Sequence, residues 1–326
     1  MRAIQVERFG GPEVLVAADL PDPVAGPGQV VVGVSVADVG FVETQIRAGG
    51  FGEHFAVTLP YVPGHGVTGQ VISVGEGVDA DRLGRRVAGY IGDQGGRGGY
   101  AERVALPADE LVPVPDGLGL REAAALLHDG VTALRVMEVT GVRAREHVLV
   151  TAAGGGMGIL LVQLAHAAGA RVVAAARGKR KLDLVREQGA DVVVDYSEPG
   201  WTSVVREATE GAGADVVFDG AGGEIGQAAF AVTAHGGRFS AHGAPSGGFA
   251  ILDPAERERR GVTVRGIEHL QLAPDDMRRM LARALSEAAA GRMRPVIGQT
   301  FPLERAADAH TAIEARAVVG RTLLLT

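Results

Sequence analysis

The sequence contains no cysteine in its 326 residues. Disulfide bonds and thiolate-bound metal ions are therefore excluded. The amino-terminal segment MRAIQVERFG has no apolar signal core, and the longest apolar stretch, around residues 159–168, is interrupted by Gln163 and His166. That stretch is too short to span a bilayer. We therefore expect a cytoplasmic protein with no membrane partner.

Long tracts of one charge are also missing, and the net charge is -7 with a pI of about 5.7. Such a surface does not suit nucleic acid or an anionic membrane, so the expected partner is a small molecule. There is no Gly-x-Ser-x-Gly elbow and no ordered nucleophile–base pair, which argues against hydrolysis. The length predicts two domains.

The distribution of strand and helix patterns changes near residue 120. The first 115 residues or so contain short β-branched runs separated by glycine and proline turns, which predicts a β-barrel or a sandwich. From about residue 120, strands and helices alternate through six short units, which predicts a mainly parallel sheet covered on both faces. Near residue 265 this alternation fades, and two helices and a strand close the chain.

Four glycines stand between a strand and a helix in the segment VLVTAAGGGMGILL, which matches A-x-x-G-x-x-G from Ala152 to Gly158. Glycine lets the backbone turn sharply and approach a pyrophosphate, and the helix amino terminus supplies unpaired N–H groups. A purely structural turn is the alternative, but the position in the first clear βαβ unit favours dinucleotide binding. The predicted contacts are Ala153, Gly155, Gly156, Met157 and Gly158.

An acidic residue is missing where an NAD-binding unit carries one, about 20 residues after the glycines. The second strand ends in AAAR at residues 174–177, and KRK follows at residues 179–181. A guanidinium can pair with a 2′-phosphate that a carboxylate would repel. A solvated basic helix start is the alternative, but cations there oppose the helix dipole. We therefore predict NADPH as the cofactor, bound by Arg177 and Lys181.

Taken in order, several segments resemble a known family. They are MRAIQVERFGGPEVL, PYVPGHGVTGQVISVGEGV, GGYAERV, AAGGGMGILLVQLAHAAGA, DVVFDGAGG and GRTLLLT. The chain resembles, along its whole length, the zinc-independent medium-chain dehydrogenases/reductases of the zeta-crystallin-like NADPH:quinone oxidoreductase group. The resemblance implies an α/β protein in which a GroES-like β-barrel catalytic domain, residues 1–120, is completed by residues 268–326. A Rossmann NADPH-binding domain with a doubly wound parallel sheet would occupy residues 121–267, with the active cleft between the domains.

The resemblance also bears on metals. His65 in PGHGVTG is similar to a Gly-His-Glu ligand site of the zinc members, but Gly66 replaces the glutamate. A lone histidine is then a packed or pocket-lining residue rather than a ligand. We predict no metal site.

Further cofactor contacts are implied by the resemblance. Tyr196 matches a tyrosine beside the adenosine 2′-phosphate, and Arg316 matches an arginine near the cofactor. A half-buried strand-end tyrosine and a surface helix arginine are the alternatives. Residues that follow two later strand ends would lie at the nicotinamide or be ordinary turn residues. These are Gly220, Ala221, Gly222, His242 and Gly243.

The substrate pocket departs from the pattern Asn-x-x-Asp-x-x-x-Arg-x-Gly that is common in the family. In GFVETQIRAGG, Gly40 replaces the asparagine and Glu43 the aspartate, whereas Arg47 and Gly49 are kept. The floor of the pocket is therefore altered. The candidate lining residues, each of which could instead be a core or loop residue, are Phe41, Phe51, Phe55 and Gln45.

The implied reaction is hydride transfer from NADPH to a quinone or a similar conjugated carbonyl, which places negative charge on oxygen. Candidate hydrogen-bond donors to that oxygen are Gln45, His65 and His128. Two alternatives stay open: reduction of an enone or enoyl thioester on the same scaffold, and an NADPH-binding sensor or scaffold without turnover. The family also implies a homodimer that pairs the last Rossmann strands, here GVTVRGI at residues 261–267.

Overall fold

The computed structural model describes residues 1–50, 57–92 and 97–326. Its strands in chain order are β1 Arg2–Gln5, β2 Val16–Asp19, β3 Gln29–Val39, β4 Gly66–Val74, β5 Arg86–Tyr90, β6 Arg103–Pro107, β7 Val112–Pro113, β8 His147–Val150, β9 Arg171–Ala176, β10 Val192–Asp195, β11 Ala214–Asp219, β12 Thr233–Ala241, β13 Thr263–Arg265, β14 Ile297–Pro302 and β15 Arg321–Leu325. Its α-helices are α1 Phe41–Arg47, α2 Leu120–Leu126, α3 His128–Thr140, α4 Gly156–Ala167, α5 Lys179–Glu187, α6 Trp201–Ala208, α7 Gly223–Ala231, α8 Pro254–Arg259, α9 Pro274–Ala289 and α10 Ala306–Glu314.

The chain forms two compact units. One contains Met1–Val131 together with Pro274–Thr326, and the other contains Thr132–Ala273. From the sequence we predicted these two domain boundaries between residues 120 and 121 and between residues 267 and 268. The functional assignment of the two domains stays a prediction.

The unit Thr132–Ala273 is built on a parallel sheet in the order β10-β9-β8-β11-β12-β13. The first strand in sequence therefore lies beside the second on one side and the fourth on the other. This is the doubly wound order that places a ligand at the carboxyl ends of the strands, where the winding reverses. The core under the sheet includes Leu149, Val173, Val217 and Phe239.

The other unit is built around the 11-residue strand β3. One side of β3 pairs with β4, and its other side pairs first with β6 and then with β15. The carboxy-terminal segment therefore completes the amino-terminal sheet, whose order is β14-β15-β3-β4-β5-β7. Its core includes Val30, Val32 and Leu324.

The sequence prediction and the structure differ in detail at several elements. The helical segment at residues 120–141 divides at Leu127 into α2 and α3. The sequence pattern also missed α1 and β14, because each is short and carries a mixed polar and apolar pattern.

Among residues 1–50, 57–92 and 97–326, no helix combines the length and the apolar character that crossing a bilayer requires.

Candidate active site

The glycine loop joins β8 to α4 in the unit Thr132–Ala273. Helix α4 begins after Gly155, and no side chain caps its amino terminus or brings acid to its first turn. A Cβ on Gly158 would lie 2.5 Å from the Ala152 carbonyl oxygen and 2.7 Å from Cα of Ala153. Position 158 therefore requires glycine, because helix and turn touch through backbone there. The unpaired N–H groups of the first turn can receive an anion.

The sharp turn itself is made by Ala152, whose φ is 50°. A left-handed conformation strains a residue that has a Cβ, which is why glycine is usual at such positions. Ala152 therefore performs the role of the first glycine of the fingerprint. The turn is anchored to the neighbouring strand by the amide of Ala153, which donates to the carbonyl of Ala175 over 3.0 Å.

The predicted phosphate ligands lie beside this loop. The alkyl chain of Lys181 packs against Gly154, since a Cβ on Gly154 would lie 2.7 Å from Cβ of Lys181. Arg177 is exposed directly after β9. The amide of Tyr196 donates to the carbonyl of Ala176 over 3.2 Å, so Tyr196 lies at the same edge of the sheet. The structure brings Arg177, Lys181 and Tyr196 together with the glycine loop.

Asp195 is a residue that the sequence reasoning missed. One oxygen accepts the amide of Gly178 over 2.8 Å, and the other accepts the amide of Ser197 over 2.9 Å. Burial tends to raise the pKa of Asp195, but its hydrogen bonds from Ser197 and Gly178 and the charge of Arg177 lower it. Asp195 therefore fixes the loop that carries Arg177. The signal was present as an aspartate that ends a strand and has a serine two residues after it.

A second missed network lies under the ends of β11 and β12. The hydroxyl of Thr151 donates to Oδ1 of Asp219 over 2.8 Å, and the amides of Ala221 and Gly222 donate to the same oxygen over 3.1 Å. Asp219 is fully buried, and burial raises its pKa. Oδ2 of Asp219 has no hydrogen-bond partner in the part of the chain that the structure describes. This network fixes the loop at residues 220–222.

The loop at residues 220–222 touches the segment after β12. A Cβ on Gly243 would lie 2.0 Å from the carbonyl oxygen of Gly220, so position 243 requires glycine. His242 lies over the same loop, and its Nδ1 is 3.1 Å from Oγ of Ser240. The residues that the resemblance assigned to the nicotinamide, Gly220, Ala221, Gly222, His242 and Gly243, are therefore neighbours.

The other unit contains a charge cluster, defined here as Asp38, Glu43, His65, Asp129 and Arg321, whose three carboxylates are buried. Arg321 pairs with both oxygens of Asp38 and lies 2.9 Å from Oδ1 of Asp129. Oε1 of Glu43 lies 3.2 Å from Nδ1 of His65. Burial opposes the charge of Arg321, but Asp129, Asp38 and Glu43 outweigh it and raise the pKa of its guanidinium. Glu43 of the altered pocket motif therefore interacts electrostatically with Arg321 of the last strand, β15.

The remaining predicted residues lie at different places. The amide of Gln45 donates to Oγ1 of Thr44 over 3.2 Å, Phe41 is half-buried at the start of α1, and His128 is exposed at the start of α3. Arg316 is exposed after α10 with a φ of 55°. Phe51 and Phe55, both predicted to line the pocket, lie outside the described residues.

The described residues contain no group of three or more His, Asp or Glu side chains that could hold a metal ion.

A doubly wound parallel sheet with a glycine turn at its first strand–helix junction is the architecture of dinucleotide-binding oxidoreductases. The comparisons with known proteins agree. Residues 26–116 match the family described as alcohol dehydrogenase GroES-like domain, and residues 156–286 match the family described as zinc-binding dehydrogenase.

Two curated relatives extend over essentially the whole chain. The quinone oxidoreductase of Mus musculus is 33% identical over 330 residues, covering 100% of this chain and 98% of that protein. The 2-haloacrylate reductase of Burkholderia sp is 30% identical over 334 residues, covering 99% and 98%. The chain belongs to the medium-chain dehydrogenases/reductases, in the zeta-crystallin-like quinone oxidoreductase group.

Solved structures show the same fold. An NAD-dependent alcohol dehydrogenase superposes with a TM-score of 0.90 at 34% identity, covering 100% of both chains. The quinone oxidoreductase of Escherichia coli, complexed with NADPH, superposes with a TM-score of 0.90 at 25% identity, also covering 100% of both. The predicted fold class, a GroES-like domain with a Rossmann domain, is confirmed.

Proposed function

We propose that this protein is an NADPH-dependent quinone oxidoreductase that works without zinc. The observation that carries the proposal is the position of Arg177 and Lys181 beside the glycine loop, at a strand end that carries no acid. It is supported by the full-length similarity to quinone oxidoreductases. We also propose a cytoplasmic location.

When bound, NADPH supplies a hydride to the substrate. The amides of the α4 amino terminus would hold the pyrophosphate, and Arg177 and Lys181 would neutralise the 2′-phosphate. The loop at residues 220–222, held by Thr151 and Asp219, would position the nicotinamide end. The cofactor residues proposed are Ala153, Gly155, Gly156, Met157, Gly158, Arg177, Lys181, Tyr196, Gly220, Ala221, Gly222, His242, Gly243 and Arg316.

The test is oxidation of NADPH and NADH with a quinone, an enone and an enoyl thioester as acceptors, before and after treatment with a zinc chelator. We expect fastest turnover with NADPH and the quinone, and no loss after chelation. Turnover that requires a tightly bound equivalent of zinc would contradict the zinc-free proposal.

A second candidate is reduction of an activated carbon–carbon double bond. The similarity to a 2-haloacrylate reductase favours it, because a haloacrylate is a conjugated acceptor of that kind. A kcat/KM that is higher for the enone or the thioester than for every quinone would establish this alternative.

Replacing Arg177 with alanine should weaken NADPH binding by about 30-fold, because a charge-assisted hydrogen bond to phosphate contributes about 2 kcal/mol. NADH, which lacks the phosphate, should be almost unaffected. Calorimetric titration of both cofactors measures the difference. The control is Arg186→Ala, since Arg186 is an exposed arginine of α5, the helix that begins two residues after Arg177, and it pairs with Asp183. Equal loss for both cofactors would assign Arg177 a structural role instead.

We further propose a homodimer that joins two copies at β13, the edge strand of the parallel sheet. An edge strand exposes unpaired backbone groups that a two-fold related copy can satisfy. Ile267, which follows β13 and is 42% exposed, would then lie near its symmetry mate. Ile267→Lys should shift the protein to monomer in multi-angle light scattering, whereas Ile72→Lys, in the other unit, should not. A wild type that is monomeric at micromolar concentration would overturn the dimer.

A further inference from the structure

The parallel sheet of the unit Thr132–Ala273 carries an acid one strand away from where an NAD-binding unit carries its own. That acid normally ends the second strand of the unit. Here the second strand, β9, ends at Ala176 and is followed by the exposed Arg177. The third strand, β10, ends at Asp195, which is paired in register with Ala176. A carboxylate therefore lies beside the strand end from which the basic residues begin.

Protein groups hold both oxygens of this carboxylate. Oδ2 of Asp195 accepts the amide of Gly178 over 2.8 Å. Oδ1 accepts the amide of Ser197 over 2.9 Å and the hydroxyl of Ser197 over 2.5 Å. An acid that binds the cofactor instead directs its oxygens to the ribose. Asp195 therefore acts on the turns that follow β9 and β10 rather than on a ribose.

Gly178 joins the two cations that we assign to the 2′-phosphate. It follows Arg177 directly, and its φ of 82° places it in the left-handed region, where glycine is favoured. It also immediately precedes α5, and its carbonyl accepts the amide of Lys181 over 3.1 Å. The hydrogen bond from Gly178 to Asp195 therefore fixes the turn from which both Arg177 and Lys181 extend.

Asp195 also interacts with Arg177 through charge. Burial tends to raise the pKa of Asp195, but the hydrogen bonds from Ser197 and Gly178 and the charge of Arg177 lower it, so the carboxylate is ionised at neutral pH. Its negative charge repels a phosphate, whereas its hold on the turn reduces the conformational freedom that Arg177 would lose on binding one. Because three hydrogen-bond donors already stabilise this charge, we expect the second effect to be the larger.

We propose that Asp195 is a positioning residue that favours NADPH over NADH, because it holds the turn at Gly178 and thereby orients Arg177 and Lys181 towards the 2′-phosphate. This inference rests on the proposed NADPH-dependent function. An acid at the end of β10 supports the basic residues, whereas an acid at the end of β9 would lie where the phosphate binds. All of these residues belong to the unit Thr132–Ala273.

The experiment titrates NADPH and NADH calorimetrically into the full-length wild type and the variants Asp195→Ala, Asp195→Asn and Asp191→Ala. Asp191 is the control, since it lies at the opposite end of β10, where its Oδ2 accepts the amide of Val172 over 2.7 Å. Asp195→Ala should weaken NADPH binding by about 10-fold, the lower end of the range for a hydrogen bond to a charged group, and NADH binding by less than about 2-fold. Asp195→Asn, which keeps one acceptor oxygen, should lie between Asp195→Ala and the wild type. Asp191→Ala should leave the ratio of the two affinities unchanged.

Two further measurements separate positioning from a general structural role. In the cofactor-free protein, hydrogen exchange in peptides that contain Gly178 should accelerate in Asp195→Ala and not in Asp191→Ala. In an Arg177→Ala background, Asp195→Ala should weaken NADPH binding by less than about 3-fold, because a residue that acts through another adds little once that other residue is gone.

Three results would overturn the proposal while leaving the cofactor preference in place. They are unchanged exchange at Gly178, equal losses for the two cofactors, and NADPH binding in Asp195→Ala that is as tight as in the wild type or tighter. The last result would show that repulsion by the carboxylate outweighs its hold on the turn. A wild type that binds NADPH and NADH equally well would instead refute the proposed cofactor preference, and this inference with it.

Discussion

Gly158→Ala is expected to weaken NADPH binding by about 100-fold or more, the equivalent of losing two charge-assisted hydrogen bonds to phosphate. The added Cβ would lie 2.5 Å from the Ala152 carbonyl oxygen, and neither atom belongs to a flexible side chain. Helix α4 must therefore move away from the turn, which removes its N–H groups from the pyrophosphate. Overpacking should also lower the free energy of unfolding by about 1–3 kcal/mol. Fluorescence titration with NADPH and urea denaturation measure the two effects.

Gly155→Ala is the matched control for stability, because a Cβ there would lie 3.4 Å from the same carbonyl oxygen, an ordinary contact. Its free energy of unfolding should stay within about 0.5 kcal/mol of the wild type. If Gly158→Ala matches the wild type in both stability and affinity, the close approach of helix and turn has no role in binding the cofactor.

Arg321→Met should lower the free energy of unfolding by about 3–5 kcal/mol, because it leaves Asp38 and Asp129 buried without their cation. Hydrogen exchange should accelerate in peptides from β3 and β15, the strands that carry this ion pair. Burial already raises the pKa of Asp38, and without the guanidinium of Arg321 that pKa would rise further in the folded state. The folded state would then bind more protons than the unfolded state, so the loss should grow as pH rises from 5 to 8.

The control for Arg321→Met is Arg103→Met, which removes an exposed arginine that pairs with the exposed Asp22. Exposed pairs contribute about 0–1 kcal/mol, so this variant should unfold close to the wild type. Equal losses for the two variants would show that burial does not govern the strength of these ion pairs.

The features that the sequence predicted are local. The six-strand alternation, the glycine loop and the basic residues after β9 depend on residues within about one strand–helix–strand unit of each other. Arg177 and Lys181 were predicted from the strand end that lacks an acid and from the basic run that follows it, whereas Tyr196 was assigned by the family resemblance. The parallel pairing of β8, β9 and β10 explains why these residues lie at one edge of the sheet.

The features that the sequence missed are contacts between distant residues. The Asp219–Thr151 bond joins residues that are 68 positions apart, and the Arg321–Asp38 pair joins residues that are 283 positions apart. A buried aspartate that supports a loop has the same sequence signature as any strand-end aspartate. Gly40 and Glu43 were recognised only as departures from a pattern. Their mutual fit depends on the position of a carboxylate that no spacing rule gives.

The discontinuous unit also has a consequence for the order in which the protein is made. Residues 132–273 are contiguous, so the parallel sheet can form as soon as they have left the ribosome. Strand β3 is synthesised much earlier. The part of its edge that pairs with β15 stays unpaired until β15 has been made. Until residues 321–325 emerge, Asp38 and Asp129 have no guanidinium between them. The nascent amino-terminal half therefore carries an open strand and two unneutralised carboxylates throughout the synthesis of the second domain, which is the interval in which a chaperone would bind it.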